Sequence, residues 1–235
     1  MHRLLLVSSS STFGTGYLDH CERQILDLYG RALSHRILFV PYALEDRDGY
    51  ADKAEARFRS MGLELSSIHR TGDRVAAIAE TQGIFIGGGN TFRLLDTLYR
   101  LDLLDPIRER VSNGMPYLGT SAGSNVACPT IKTTNDMPIV QPPSFAALHL
   151  VSFQINAHYL DPDPDSRHMG ETRDDRLREF HEENETPVVA IREGAMLAIL
   201  GQEITLEGEN GARIFLQNRE PRDCPPGTRV DLEIS

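Results

Sequence analysis

At 235 residues, 40% hydrophobic and 25% charged, the chain is long enough for one α/β domain with a sizeable core. Its formal net charge of −10 argues against nucleic acid or an anionic membrane as partner, and no apolar run is long enough to span a bilayer. Cys21, Cys128 and Cys224 are widely spaced and form no C-x-x-C pair. They point to neither a zinc site nor a disulfide framework and suit reduced thiols in the cytoplasm.

The first apolar run, residues 3–8, is too short for a signal peptide and predicts a strand buried on both faces. A Ser/Gly loop at 9–16 leads to a predicted helix at 17–29. A strand at 36–41, a polar helix at 46–61 and a strand at 63–68 follow. Asp73 caps a short helix reaching residue 80, and 83–86 is the fourth strand. Asn90 is a good N-cap for a helix over 91–101. A helix at 106–112 ends at Asn113-Gly114, and a strand at 115–119 closes this half. The alternation predicts a doubly wound, mostly parallel sheet with helices on both faces, whose ligands bind beyond the strands' carboxyl ends.

The second half is less regular. Residues 130–140 read as a loop or ribbon, 153–156 as a strand ending near His158, and 161–165 as an acidic, proline-broken loop. A helix is expected over 170–184, with Thr172 and Asp175 spaced as a capping box. The tail alternates in strands at 188–191, 195–200, 203–207 and 212–216, with a hairpin turn at 209–211 and a further piece at 230–234. These are expected to close one sheet edge. No repeat or linker divides the chain, so a single domain over 1–235 is expected.

Chemistry concentrates at Gly119-Thr120-Ser121-Ala122-Gly123, a G-x-S-x-G pattern between a strand and a helix. That pattern reads as a nucleophile elbow with Ser121 exposed and the Ala122 N–H available to an oxyanion. A serine needs a base, usually an imidazole oriented by a carboxylate. His158, just past a strand end, is the best placed of the histidines, though it also reads as an ordinary loop residue; His149 and His168 remain open. Asp136 stands in an uncharged stretch where a carboxylate needs a partner, which makes it the candidate orienting acid, although taken alone it reads first as an Asx-turn or cap. Gly87-Gly88-Gly89-Asn90 reads as a phosphate cradle, as a tight turn, or as an oxyanion donor at Gly89. Arg173, in a helix first turn where the dipole disfavours it, is suited to gripping a carboxylate or is a plain surface residue; Glu171 beside it is favoured by that dipole.

Taken together, Ile86-Gly87-Gly88-Gly89-Asn90-Thr91-Phe92, Ser121-Ala122-Gly123-Ser124-Asn125, residues 127–131 and 133–140, Gln154-Ile155-Asn156 with His158, and Gly170-Glu171-Thr172-Arg173 resemble the peptidase E family of serine peptidases. The resemblance implies a fold akin to class I glutamine amidotransferases and a triad of Ser121, His158 and Asp136. It also implies an oxyanion hole at Gly89 and Ala122, and substrate contacts from Arg173 to an aspartyl side chain, Glu171 to the amino terminus, and Asn90. The implied reaction is hydrolysis of dipeptides with N-terminal aspartate, without a metal or other cofactor. A cytoplasmic monomer or homodimer acting on small peptides is expected. Thr120 replaces the bulkier aromatic associated with the best-known members, and residues 161–165 are unusually acidic. Both features bear on substrate choice and leave the acyl-transfer chemistry intact. The alternatives are a cyanophycinase-like hydrolase of β-Asp-Arg, whose basic substrate would suit the acidic rim, and a non-catalytic protein holding a small anion at the glycine triplet.

Overall fold

The computed structural model describes residues 1–30, 36–163, 165 and 170–232. A seven-stranded sheet contains β1 (Arg3–Val7), β2 (Arg36–Val40), β3 (Glu64–Ser67), β4 (Gly83–Ile86), β5 (Tyr117–Thr120), β8 (Ala195–Leu200) and β9 (Glu203–Gly208). Their order is β3-β2-β4-β5-β1-β8-β9. The first five pair in parallel, and β8 and β9 add an antiparallel edge.

Alternate side chains of each strand enter different layers, as a period of two requires. Leu5 and Val7 of β1 point to one face. There they meet Ile25 and Leu28 of α1 (Glu22–Tyr29) and Ala51, Ala54 and Phe58 of α2 (Arg47–Ser60). Phe85 lies in this layer between Phe39 and Phe58, with ring centroids 4.8 and 5.4 Å away. Leu4 and Leu6 face the other layer, built from α3 (Arg74–Glu80), α4 (Thr91–Arg100), α5 (Leu104–Ser112) and the short α6 (Ala122–Val126). Among the described residues no helix is long and apolar enough to cross a membrane.

The tail departs from the expected single edge. β6 (Gln154–Tyr159), β7 (Val188–Arg192), β10 (Ala212–Phe215) and β11 (Arg222–Cys224) form a separate four-stranded sheet, ordered β11-β10-β7-β6. Its Ile155, Val189, Ile191 and Ile214 pack against the same layer as Leu4 and Leu6. Residues 209–211 therefore do not turn a hairpin; they carry the chain from β9 in one sheet to β10 in the other. Alternation reveals that each strand has a buried face but not which sheet covers it. The piece expected at 230–234 is not a strand over 230–232, where Val230 N–H only donates to Ile204 O at 2.8 Å, and residues 233–235 lie outside the described residues.

Helix boundaries shift for local reasons. The helix expected from residue 17 begins at Glu22, after a 3₁₀ turn at Asp19–Cys21, because Leu18 adopts φ 61°. α5 begins two residues before Pro106, which sits in its first turn where no intrahelical N–H is needed. α7 (Arg173–Glu183) has the expected capping box of Thr172 and Asp175. Buried Asp174 ties this helix to the second sheet by accepting the Tyr159 hydroxyl at 2.5 Å.

Phe85→Ala should cost about 3–5 kcal/mol of stability, as large aromatic truncations in a close-packed layer do. Equilibrium urea unfolding measures this; a loss below about 1 kcal/mol would mean that the aromatic layer relaxes around the gap.

Candidate active site

The carboxyl ends of β1, β4 and β5 meet where the two sheets approach. Ser121 leaves β5 at φ 51° and ψ −108°, a strained conformation for a residue with a Cβ. Its N–H donates to Val7 O at 2.9 Å, and its carbonyl accepts Ser124 N–H and Asn125 N–H at 2.9 and 3.0 Å. The Ser124 hydroxyl also reaches Val7 O, at 2.8 Å. The turn is tight enough that a Cβ on Gly123 would overlap the Ile86 carbonyl oxygen.

His158 comes from the second sheet. It lies within β6 rather than past its end, at a register shift between Ala157 and Tyr159, with φ 55°. Such a bulge re-aims a side chain out of the pleat. Ser8, next after β1, holds the bulge: its Oγ accepts His158 N–H at 3.0 Å and donates to Ile191 O at 2.8 Å. The imidazole Nε2 stands 2.8 Å from Ser121 Oγ.

The carboxylate on the other ring nitrogen belongs to Glu193, whose Oε1 lies 3.0 Å from Nδ1. With Nδ1–H donating to this carboxylate, Nε2 is left free to accept the serine proton. Glu193 occupies the short turn between β7 and β8, where Gly194 takes φ 80° and Asn210 Nδ2 donates to Glu193 O at 2.7 Å. Arg192 braces the same region through Asp161, with Nε–Oδ2 and Nη2–Oδ1 at 2.7 and 2.6 Å. This guanidinium holds the Asp161 carboxyl below the usual carboxylate range. The pair is complete above that range and is lost as pH falls through the depressed value.

Asp136, expected to orient the base, makes no hydrogen bond to His158. Its Oδ2 accepts Thr91 N–H at 2.8 Å, Thr91 Oγ1–H at 2.6 Å and Thr134 Oγ1–H at 3.2 Å, at the N-terminus of α4. The reasoning that this carboxylate needs partners holds, but helix amides and hydroxyls supply them. Its Oδ1 accepts no hydrogen bond from the described residues, and Asp136 lines the cleft with Ser121 and His158. The sequence signal for Glu193 was an acidic residue and a glycine between two apolar strands, a turn that brings a carboxylate to a strand end.

The remaining candidates divide. Gly89, at φ 136°, and Ala122, in the first turn of α6, present N–H groups with no acceptor among the described residues. Asn90 is occupied at both ends: Oδ1 caps α4 through Arg93 N–H at 3.0 Å, and Nδ2 donates to Met137 O at 2.8 Å. Glu171 pairs with Arg176 at 3.5 Å. Arg173, half-buried at the start of α7, hydrogen-bonds to no described residue; burial, and secondarily Arg176, lower its pKa. It stands outside the residues lining the Ser121 cleft. His149 lines a different cavity with His2, and His168 lies outside the described residues. The cleft itself, about 550 Å³, is of a size that holds small molecules.

An elbow serine in contact with an imidazole backed by a carboxylate, beside two unclaimed N–H groups, is the constellation of a serine hydrolase. The model of peptidase family S51 matches residues 4–207. Over 225 residues the chain is 47% identical to a peptidase E of Streptomyces coelicolor, covering 96% of this chain and 92% of that protein. It is 50% identical to a probable alpha-aspartyl dipeptidase of Drosophila melanogaster, covering 95% and 93%. A crystal structure of a putative peptidase E protein from Listeria monocytogenes shares the fold, with a TM-score of 0.68 at 23% identity, covering 89% of this chain and all of that one. The chain belongs to peptidase family S51.

Two outcomes test the geometry. A fluorophosphonate should label the protein at Ser121 and leave Ser121→Ala unlabelled; labelling of the variant would place the reactive hydroxyl elsewhere. Ser8→Ala should lower stability by about 1–3 kcal/mol through the orphaned His158 N–H and Ile191 carbonyl. It should also slow labelling, since the bulge aiming the imidazole loses its support. Unchanged labelling would show that the bulge stands without Ser8.

Proposed function

We propose that this peptidase hydrolyses dipeptides bearing an N-terminal aspartate, through an acyl-enzyme on Ser121. The observation that carries the reading is the continuous contact from Ser121 Oγ to His158 Nε2 at 2.8 Å and from Nδ1 to Glu193 Oε1 at 3.0 Å. Ser121 Oγ attacks the peptide carbonyl while Nε2 takes its proton. Glu193 keeps the ring in the competent tautomer and stabilises the imidazolium. The Gly89 and Ala122 N–H groups receive the developing oxyanion. The imidazolium then protonates the leaving amine, and water activated by the same nitrogen hydrolyses the ester.

Substrate charges find counterparts. Arg173, without a carboxylate partner among the described residues, takes the aspartyl side chain. Asp136, which lines the cleft and whose Oδ1 accepts no hydrogen bond from the described residues, takes the α-ammonium in place of Glu171, whose carboxylate is paired with Arg176. The name of the Drosophila relative, a probable alpha-aspartyl dipeptidase, supports the aspartyl preference. A cytoplasmic setting without nucleic-acid or membrane partners completes the reading; it is supported by the net charge of −10 and three free, buried cysteines.

With Asp-Leu as substrate, Glu193→Gln should reduce kcat by roughly 10³–10⁴, the penalty for a wrong tautomer. Asp136→Asn should act chiefly on KM; the reverse assignment of effects would return the orienting role to Asp136. Across Asp-Leu, Asn-Leu, Ala-Leu and β-Asp-Arg, the protein should favour the first. Arg173→Ala should erase the distinction between Asp-Leu and Asn-Leu. Preferential cleavage of β-Asp-Arg would instead establish the cyanophycinase-like reading.

A further inference from the structure

The Ser121 cleft contains one lysine or arginine side chain among its lining residues, Lys53. It stands on α2 in a stripe with Asp46, Gly49 and Tyr50, at the helical spacing that puts residues on one face. Each acidic group around the cleft already has a partner within the protein, and Asp136 keeps one oxygen free. Asp46 Oδ1 caps α2 through Gly49 N–H at 2.9 Å, Asp136 Oδ2 caps α4, and Glu193 sits on His158. Lys53 forms no ion pair among the described residues. Its Nζ rests 4.6 Å from the centroid of the Tyr17 ring, on the face of an aromatic that also lines the cleft.

A cation lying on an aromatic face is held more weakly than one in a charge-assisted hydrogen bond. A lysine on a flexible four-carbon stem can leave that face for an anion. Resting on the dipeptidase reading, the chemistry of the anion follows from a charge count. An Asp-X dipeptide brings one ammonium and two carboxylates. Asp136 answers the ammonium and Arg173 the aspartyl carboxylate, which leaves the carboxylate of the leaving residue. We infer that Lys53, from its perch on Tyr17, binds the C-terminal carboxylate of the dipeptide and so makes the site select substrates that end one residue after the scissile bond.

The test compares kcat/KM for Asp-Leu, Asp-Leu amide and Asn-Leu in the wild type, Lys53→Met and Lys53→Arg, with thermal melting as the folding control. The wild type should favour Asp-Leu over its amide by about tenfold or more, the worth of a hydrogen bond between charged groups. Lys53→Met should remove that preference, mainly through KM for Asp-Leu, while Lys53→Arg keeps most of it. Discrimination between Asp-Leu and Asn-Leu should survive in Lys53→Met. A wild type active on both but blind to amidation, or the same free-acid preference in wild type and Lys53→Met, overturns the assignment. Loss of Asp-over-Asn discrimination in Lys53→Met overturns it too, moving the ammonium to the aspartyl side chain. Wild-type protein inert toward Asp-Leu would overturn the dipeptidase reading and this one with it.

Discussion

The carboxyl end of β1 braces both halves of the site. Val7 offers one carbonyl to Ser121 N–H and to the Ser124 hydroxyl, which holds the elbow in a conformation it would not adopt alone. One residue on, Ser8 ties the His158 bulge and Ile191 of the second sheet to the first sheet. Val7, the last residue of a central strand, and Ser8, the next along the chain, are both buried and thus fix the serine from one side and the imidazole from the other. The contact at 2.8 Å between Ser121 and His158 follows from this shared anchor. Rigid elements hold such geometry better than loops would.

The second sheet is what makes this possible. β6 brings the base and β7 runs into the turn that carries Glu193, so base and carboxylate are neighbours because their strands pair in parallel. The chain then passes directly into β8, which pairs with β1. The route from carboxylate back to the strand that braces the nucleophile is therefore short and hydrogen-bonded throughout. Arg192, bound to Asp161 and Asp223, fastens the segments on either side. Two of the groups proposed to meet the substrate, Lys53 and Asp136, belong to α2 and to the cap of α4, where helix caps hold Asp46 and Asp136 in place.

The parallel half of the fold was legible because each element announces itself locally: Asn90 and Asp73 cap the helices they were expected to cap, and β1 alternates between two buried layers. Ser121 stood out because the strand, glycines and turn all agree on one geometry. Asp136 misled for an instructive reason. An acid in an apolar stretch does need partners, but sequence cannot say whether those are an imidazole or the amide and hydroxyl of Thr91. Glu193 was hidden because its proximity to His158 depends on β6 pairing with β7, a long-range contact, and on the tail dividing between two sheets. His158 gave no sign of its bulge, since a positive φ at a non-glycine residue is imposed by Ser8 and the surrounding sheet rather than by local preference.

The proposed chemistry stands on which carboxylate orients the base, and a proton NMR spectrum of the downfield imidazole region probes that contact directly. The wild type should show an Nδ1–H resonance of His158 shifted downfield by its carboxylate partner. That signal should move or vanish in Glu193→Gln and persist in Asp136→Asn. A resonance untouched by the change at Glu193 and abolished by the change at Asp136 would contradict the account.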